Sequence, residues 1–142
     1  MNKVKILLAI LLLTSVIGLV ACRSEASIED TAWRLELYDE KGDLKAPLVE
    51  DTEITIEFRS TESKFGGSGG CNNYFGSYEI TKNELTIKPP IGSTMMACTE
   101  SIMNQEQEYF KLLETTETFK MDDNKLTITC SGNKELVFVK GN

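Results

Sequence analysis

The sequence predicts an α+β fold: a curved, mostly antiparallel sheet, an open half-barrel, covered by one amphipathic helix. Three observations predict it. Several short segments alternate apolar and polar residues, the period of a half-buried strand. Clusters of Gly, Pro, Asn and Asp separate them as turns and loops. One segment, residues 100–116, lacks Gly and Pro and spaces its apolar side chains at helical intervals.

Taken in order, RSEASIED (residues 23–30) is polar and acidic and reads as a tether. TAWRLELY (31–38) is the first strand, with Trp33, Leu35 and Leu37 on the core face and Arg34, Glu36 and Tyr38 on the other. Residues 39–51 carry Gly42, Pro47 and a run of acids and read as a loop. TEITIEFR (52–59) alternates again and turns Ile54, Ile56 and Phe58 inward. The glycine-rich GGSGGCN reads as an irregular corner leading into the strand NYFGSYEI. ELTIKP (84–89) follows across the turn Thr81-Lys82-Asn83, and Pro89-Pro90 is expected to stop it. In the helical segment Ile102, Met103, Tyr109, Phe110 and Leu113 share a stripe that also holds Glu106. Two strands close the chain, one within residues 118–130 and one at 135–140, joined by the turn Ser131-Gly132-Asn133-Lys134.

The N-terminus carries its own message. Lys3 and Lys5 precede an uncharged apolar run at residues 6–21, which is shorter than the ~20 residues a spanning helix needs. Leu19-Val20-Ala21-Cys22 resembles a bacterial lipobox, whose cysteine is acylated and becomes the first mature residue. The expected organisation is a lipoprotein signal peptide at 1–21, a lipidated tether at 22–30 and one folded domain at 31–142. Acyl chains contribute about 0.8 kcal/mol per buried CH₂, so several chains anchor stably. The expected location is the bacterial envelope, at the outer membrane or cell surface.

Composition narrows the function. The chain has 142 residues, no histidine and a formal net charge of −7. Loss of the signal removes Lys3 and Lys5 and no acid, which leaves a net charge of −9. Nucleic-acid binding needs a basic footprint and is not expected. The missing histidine takes away the usual proton-transfer group and the commonest metal ligand. No catalytic residue, metal or cofactor is therefore expected. Acid pairs such as Glu50-Asp51 and Asp122-Asp123 read as solvated loops rather than a hydrolase dyad. Cys71 has no histidine base to activate it.

Past Cys22, three cysteines remain. In an exporting compartment Cys71 and Cys98 are expected to pair, while Cys130 stays as a buried thiol or displaces one of them. A three-cysteine metal site would lack close ligand spacing. The glycine run lacks the Lys-Ser/Thr and helix start of a phosphate-binding loop. It fits a kinked strand better than a ligand pocket.

Two motifs carry a resemblance. Gly67 to Tyr78, with Gly70, Cys71, Asn72, Tyr74, Gly76 and Tyr78 at the fixed positions, resembles the G-x-x-G-C-N-x-[YF]-x-G-x-[YF] signature of the META domain family, the HslJ-like heat-inducible lipoproteins. Thr94, Met96, Ala97 and Cys98 resemble its T-x-M-A-C motif, and Glu106, Tyr109 and Leu113 its E-x-x-[YF]-x-x-x-L helix. Trp33 and Leu35 fit its opening W-x-L strand, and Cys130 departs from the pattern. The resemblance implies a small curved domain linked to heat stress and novobiocin tolerance, with a fold like that of secretion pilotins and no established enzymatic activity. The chain is thus expected to be a non-enzymatic envelope lipoprotein, a stress or antibiotic-tolerance factor that acts by binding or protection, with an unnamed envelope protein as the expected partner. The alternative is a carrier holding a small apolar ligand in the half-barrel.

Overall fold

A computed structural model describes residues 27–48 and 53–141. The expected signal peptide at 1–21 and Cys22, the expected acylation site, lie outside the described residues. The elements are β1 (Ala32–Glu40), β2 (Asp43–Lys45), β3 (Thr55–Arg59), β4 (Lys64–Ser68), β5 (Asn73–Thr81), β6 (Glu84–Ser93), α1 (Glu100–Leu113), β7 (Thr116–Asp122), β8 (Lys125–Cys130) and β9 (Lys134–Lys140).

The sheet runs β1-β3-β4-β5-β6-β7-β8-β9 and returns to β1, every neighbour antiparallel, with β2 folded back as a hairpin on the end of β1. It is a closed eight-stranded barrel, mostly β, with one short helix. This corrects the open half-barrel and the α+β class. The reason lies in β1, which pairs with β3 through Ala32–Arg34 and with β9 through Trp33–Tyr38. A half-barrel would leave two rows of unpaired backbone groups; closure consumes them. The thinnest seam is β6–β7, joined in register only at Glu84–Thr118, with Phe119 N–H on the Asn83 carbonyl at 2.9 Å. The chain leaves the sheet here to form α1.

The barrel interior is filled by inward residues of successive strands, among them Trp33, Ile56, Phe58, Phe65, Leu85, Ile128 and Phe138, each no more than 3 % exposed. Burial of such a side chain contributes about 1.5–3 kcal/mol. Rings interlock: Phe58 meets Tyr78 edge-on at 5.1 Å, and Tyr74 meets Tyr109 edge-on at 5.7 Å. This packing occupies the space in which a carrier would hold its ligand and counts against that reading.

Four local expectations need correction. A bulge between Leu35 and Leu37 breaks the alternation of β1, so Tyr38 is buried in place of Leu37. Pro89-Pro90 does not end β6; Ser77 pairs with Lys88 and Phe75 with Gly92, so the prolines sit in a bulge where no ladder N–H is required. Residues 118–130 hold parts of two strands, β7 and β8, because Asp123 at φ 50° makes a tight turn after Asp122. The tether ends earlier than expected: Ile28 is buried, its carbonyl accepts the Trp33 indole N–H at 2.8 Å, and Asp30 N–H donates to the Phe58 carbonyl at 2.7 Å.

Helix α1 lies across one mouth of the barrel, not along the sheet face. Its buried residues, Ile102, Gln105, Glu106, Tyr109, Leu112 and Leu113, meet the β4–β5 turn, the chain at Leu48 and the Tyr74 side chain. Among the described residues no helix is long and apolar enough to cross a membrane.

Candidate functional site

The capped mouth gathers most of the residues singled out in the sequence. Between β4 and β5 the chain makes a tight turn in which Gly69 N–H donates to the Asn72 carbonyl at 2.7 Å and Gly70 takes φ +99°. A side chain at Gly70 would be strained. Gly69 is needed for a different reason: a Cβ there would sit 2.5 Å from Glu106 Oε1. The turn is thus shaped to bring backbone onto a helix carboxylate.

Glu106 is 6 % exposed, and its two oxygens accept three N–H donors. Oε1 takes the backbone N–H of Cys71 at 3.3 Å and of Asn72 at 2.6 Å. Oε2 takes the Asn72 side-chain amide at 2.7 Å. Asn72 passes the network on, since its Oδ1 accepts Thr94 Oγ1–H at 3.0 Å and Met96 N–H at 2.7 Å. Thr94 Oγ1 in turn accepts Asn73 N–H at 3.2 Å. Cys71 and Cys98 are bonded, with Cα atoms 6.0 Å apart. The β4–β5 turn, the segment 94–98 and α1 therefore form one locked unit. Buried polar groups in such a network rigidify it only when each is satisfied, and these are.

Two further ties fix the helix. Tyr109 and Tyr74 share a hydroxyl contact of 2.7 Å, and Tyr74 donates to the Thr55 carbonyl at 2.7 Å. Burial pushes the pKa of both phenols up. Gln105 clasps Leu48, accepting its N–H at 2.7 Å and donating to its carbonyl at 3.0 Å. Cys130 is buried as a free thiol; burial, then the charges of Glu117 and Asp39, push its pKa up to about 12.

A family model, META domain, matches residues 26–142. The chain belongs to the META domain family. Three solved structures share the fold of this META domain. The chain is similar to an NMR structure of a protein from Burkholderia xenovorans, at 25% identity and TM-score 0.67, covering 81% of this chain and 84% of that one. A second NMR structure of a protein is 21% identical at TM-score 0.60, over 79% and 90%. A crystal structure of a DUF4847 family protein from Bacteroides vulgatus ATCC 8482 is 14% identical at TM-score 0.58, over 79% and 93%. No curated protein matches the sequence.

In this META domain Gly70, Cys71, Asn72, Thr94, Met96, Ala97, Cys98 and Glu106 come together, with Tyr74 joined through Tyr109. Gly76 and Tyr78 do not join them. Gly76 makes room for the Phe65 ring, and Tyr78 donates a short hydrogen bond to Glu29. Sequence reasoning passed over Gly69, Gln105 and Thr55; a Gln beside Glu106 on an apolar stripe was the available signal. Among the described residues no group of three His, Cys, Asp or Glu side chains is placed to hold a metal.

Two clefts open on either side of Asn72-Asn73. One, of about 410 Å³, is lined by Thr55, Arg59, Gly66, Gly67, Ser68, Asn73, Tyr74 and Phe75. Phe75 is 64 % exposed and lies outside the barrel, paired in register with Gly66 on β4 and Gly92 on β6. The other, of about 340 Å³, lies against the 94–97 segment and the first turns of α1.

Proposed function

We propose that this META domain is a non-enzymatic recognition module of the bacterial envelope, held at the membrane through acylated Cys22 and serving stress or antibiotic tolerance by docking an envelope protein. The observation that carries the reading is Phe75. Its ring stands over Gly92 on β6 and shares a cleft with Arg59. Exposed aromatic and arginine side chains are the types that dominate protein-binding energy. The partner we infer presents an apolar side chain to Phe75 and a carboxylate to Arg59.

The motif residues support binding rather than chemistry. The Glu106 oxygens, the Asn72 amide and both motif cysteines are consumed by one another and by backbone. What the network does is hold two clefts in fixed relation. A photo-crosslinking residue at Asn73, used in living cells, tests the reading. The expected result is one crosslinked envelope protein, lost with Phe75→Ala and weakened with Arg59→Ala. A crosslink unaltered by both substitutions, or none, overturns it.

A further inference from the structure

Of the five methionines, Met95, Met96 and Met103 line the second cleft. Met121 lies apart on β7, packed against the core. Met95 is 99 % exposed and Met96 58 %, a placement the barrel core does not require. Their backbone is not loose. Thr94 N–H donates to the Asn73 carbonyl at 3.0 Å, Met96 N–H to Asn72 Oδ1 at 2.7 Å, and Cys98 is tied to Cys71 two residues later. Met103 N–H closes the first helical turn on the Thr99 carbonyl at 3.0 Å. The backbone that carries the three thioethers is therefore held in place, while the exposed side chains of Met95 and Met96 are free to turn onto a ligand in the cleft they line.

The same cleft is bordered by Glu106. Its buried carboxylate is satisfied by N–H groups, yet none of the ion pairs among the described residues includes it. A buried anion without a cation beside it leaves a negative field at the cleft. Neutral thioethers add polarizable electron pairs without adding charge. Soft sulfur ligands of this kind select Cu(I) and its relatives over hard cations.

We propose that Met95, Met96 and Met103 form a binding site for one soft monovalent cation, copper(I) in chemical class, with Glu106 supplying the field. The site uses side chains other than Phe75 and Arg59, so it stands or falls separately from the docking reading.

Silver(I), redox-inert and soft, is the probe. It is titrated into the full protein carrying ¹³C-methyl methionine. The methyl signals of Met95, Met96 and Met103 shift together and saturate at one equivalent, while that of Met121 stays. Met95→Leu, Met96→Leu and Met103→Leu each weaken silver binding by about tenfold or more, and Met121→Leu leaves it unchanged. Leucine conserves volume and apolarity, so the fold persists in each variant, as the remaining methyl spectrum reports. Unmoved signals at the three positions, or equal loss on Met121→Leu, overturn the proposal.

Discussion

Replacing Glu106 with Gln keeps the shape of the side chain and puts an NH₂ group where one oxygen stands. Placed at Oε1, the NH₂ would face the backbone N–H groups of Cys71 and Asn72, now 3.3 and 2.6 Å away, which cannot turn aside. Placed at Oε2, it would face the Asn72 amide at 2.7 Å. Asn72 cannot flip to offer its oxygen, because Oδ1 already accepts Thr94 and Met96. The second orientation is the less damaging. It leaves opposed buried donors, costing about 1–3 kcal/mol, and weakens the two surviving bonds by roughly 1 kcal/mol each as the acceptor loses its charge. The easier desolvation of a neutral amide offsets part of this, so Glu106→Gln is expected to destabilise by about 2–4 kcal/mol. Equilibrium urea unfolding reads this as a lower midpoint at unchanged slope. A loss under about 0.5 kcal/mol would refute the account of the network. Gly69→Ala provides the cross-check, since its Cβ would fall 2.5 Å from Glu106 Oε1. The substitution should destabilise the native protein and be nearly neutral on a Glu106→Ala background, a coupling of more than about 1 kcal/mol. Strict additivity would show that the close approach does not matter.

Other expectations follow from the same geometry. Opening the Cys71–Cys98 bond, which closes a separation of 27 residues, should cost about 3–4 kcal/mol by chain entropy, measured as the difference in urea stability between the native protein and Cys71→Ser/Cys98→Ser. Cys130, buried and with its pKa near 12, should resist alkylation in the native protein and react once unfolded; mass mapping of its peptide decides. All four tyrosines, Tyr38, Tyr74, Tyr78 and Tyr109, have raised pKa values, with burial the leading cause in each. Raised folded values mean that this stability is fully present below about pH 10, the unfolded tyrosine value, and is lost as pH rises through the folded ones. Tyrosinate absorbance should therefore grow together with loss of the circular dichroism of the barrel; four phenols titrating near pH 10 with the fold intact would contradict this. Labelled palmitate should enter the chain in cells and fail to enter Cys22→Ser, and label retained by that variant would exclude Cys22 as the anchor.

Alternation was legible wherever one strand face met the core: Trp33 and Leu35, and Ile54, Ile56 and Phe58, are all buried as their spacing predicts. Barrel closure was not legible. Whether Trp33 faces Ile56 or Lys140 is decided by pairing across the whole chain, and it faces both. The bulges at Leu35–Leu37 and Pro89-Pro90 were hidden for a related reason, since a bulge is a relation between two strands and each sequence shows one. At the site, Glu106 stood out as an acid on an apolar stripe, and the motif cysteines marked the turn it meets. Its donors are mostly backbone N–H groups, which every residue carries, so spacing alone could not select them.

The double pairing of β1 also sets an order of events. A chain synthesised from its N-terminus delivers Trp33 early and Lys140, its neighbour across the seam, almost last. Until β9 arrives, β1 has one flank bare, and Gly141 has yet to reach the Ala32 carbonyl. Such remote pairing is slow to form and cannot be completed by a partly emerged chain. The topology thus postpones completion of the barrel until the whole chain is available. It also leaves both ends of the finished barrel side by side, so a graft at either end projects from the same place.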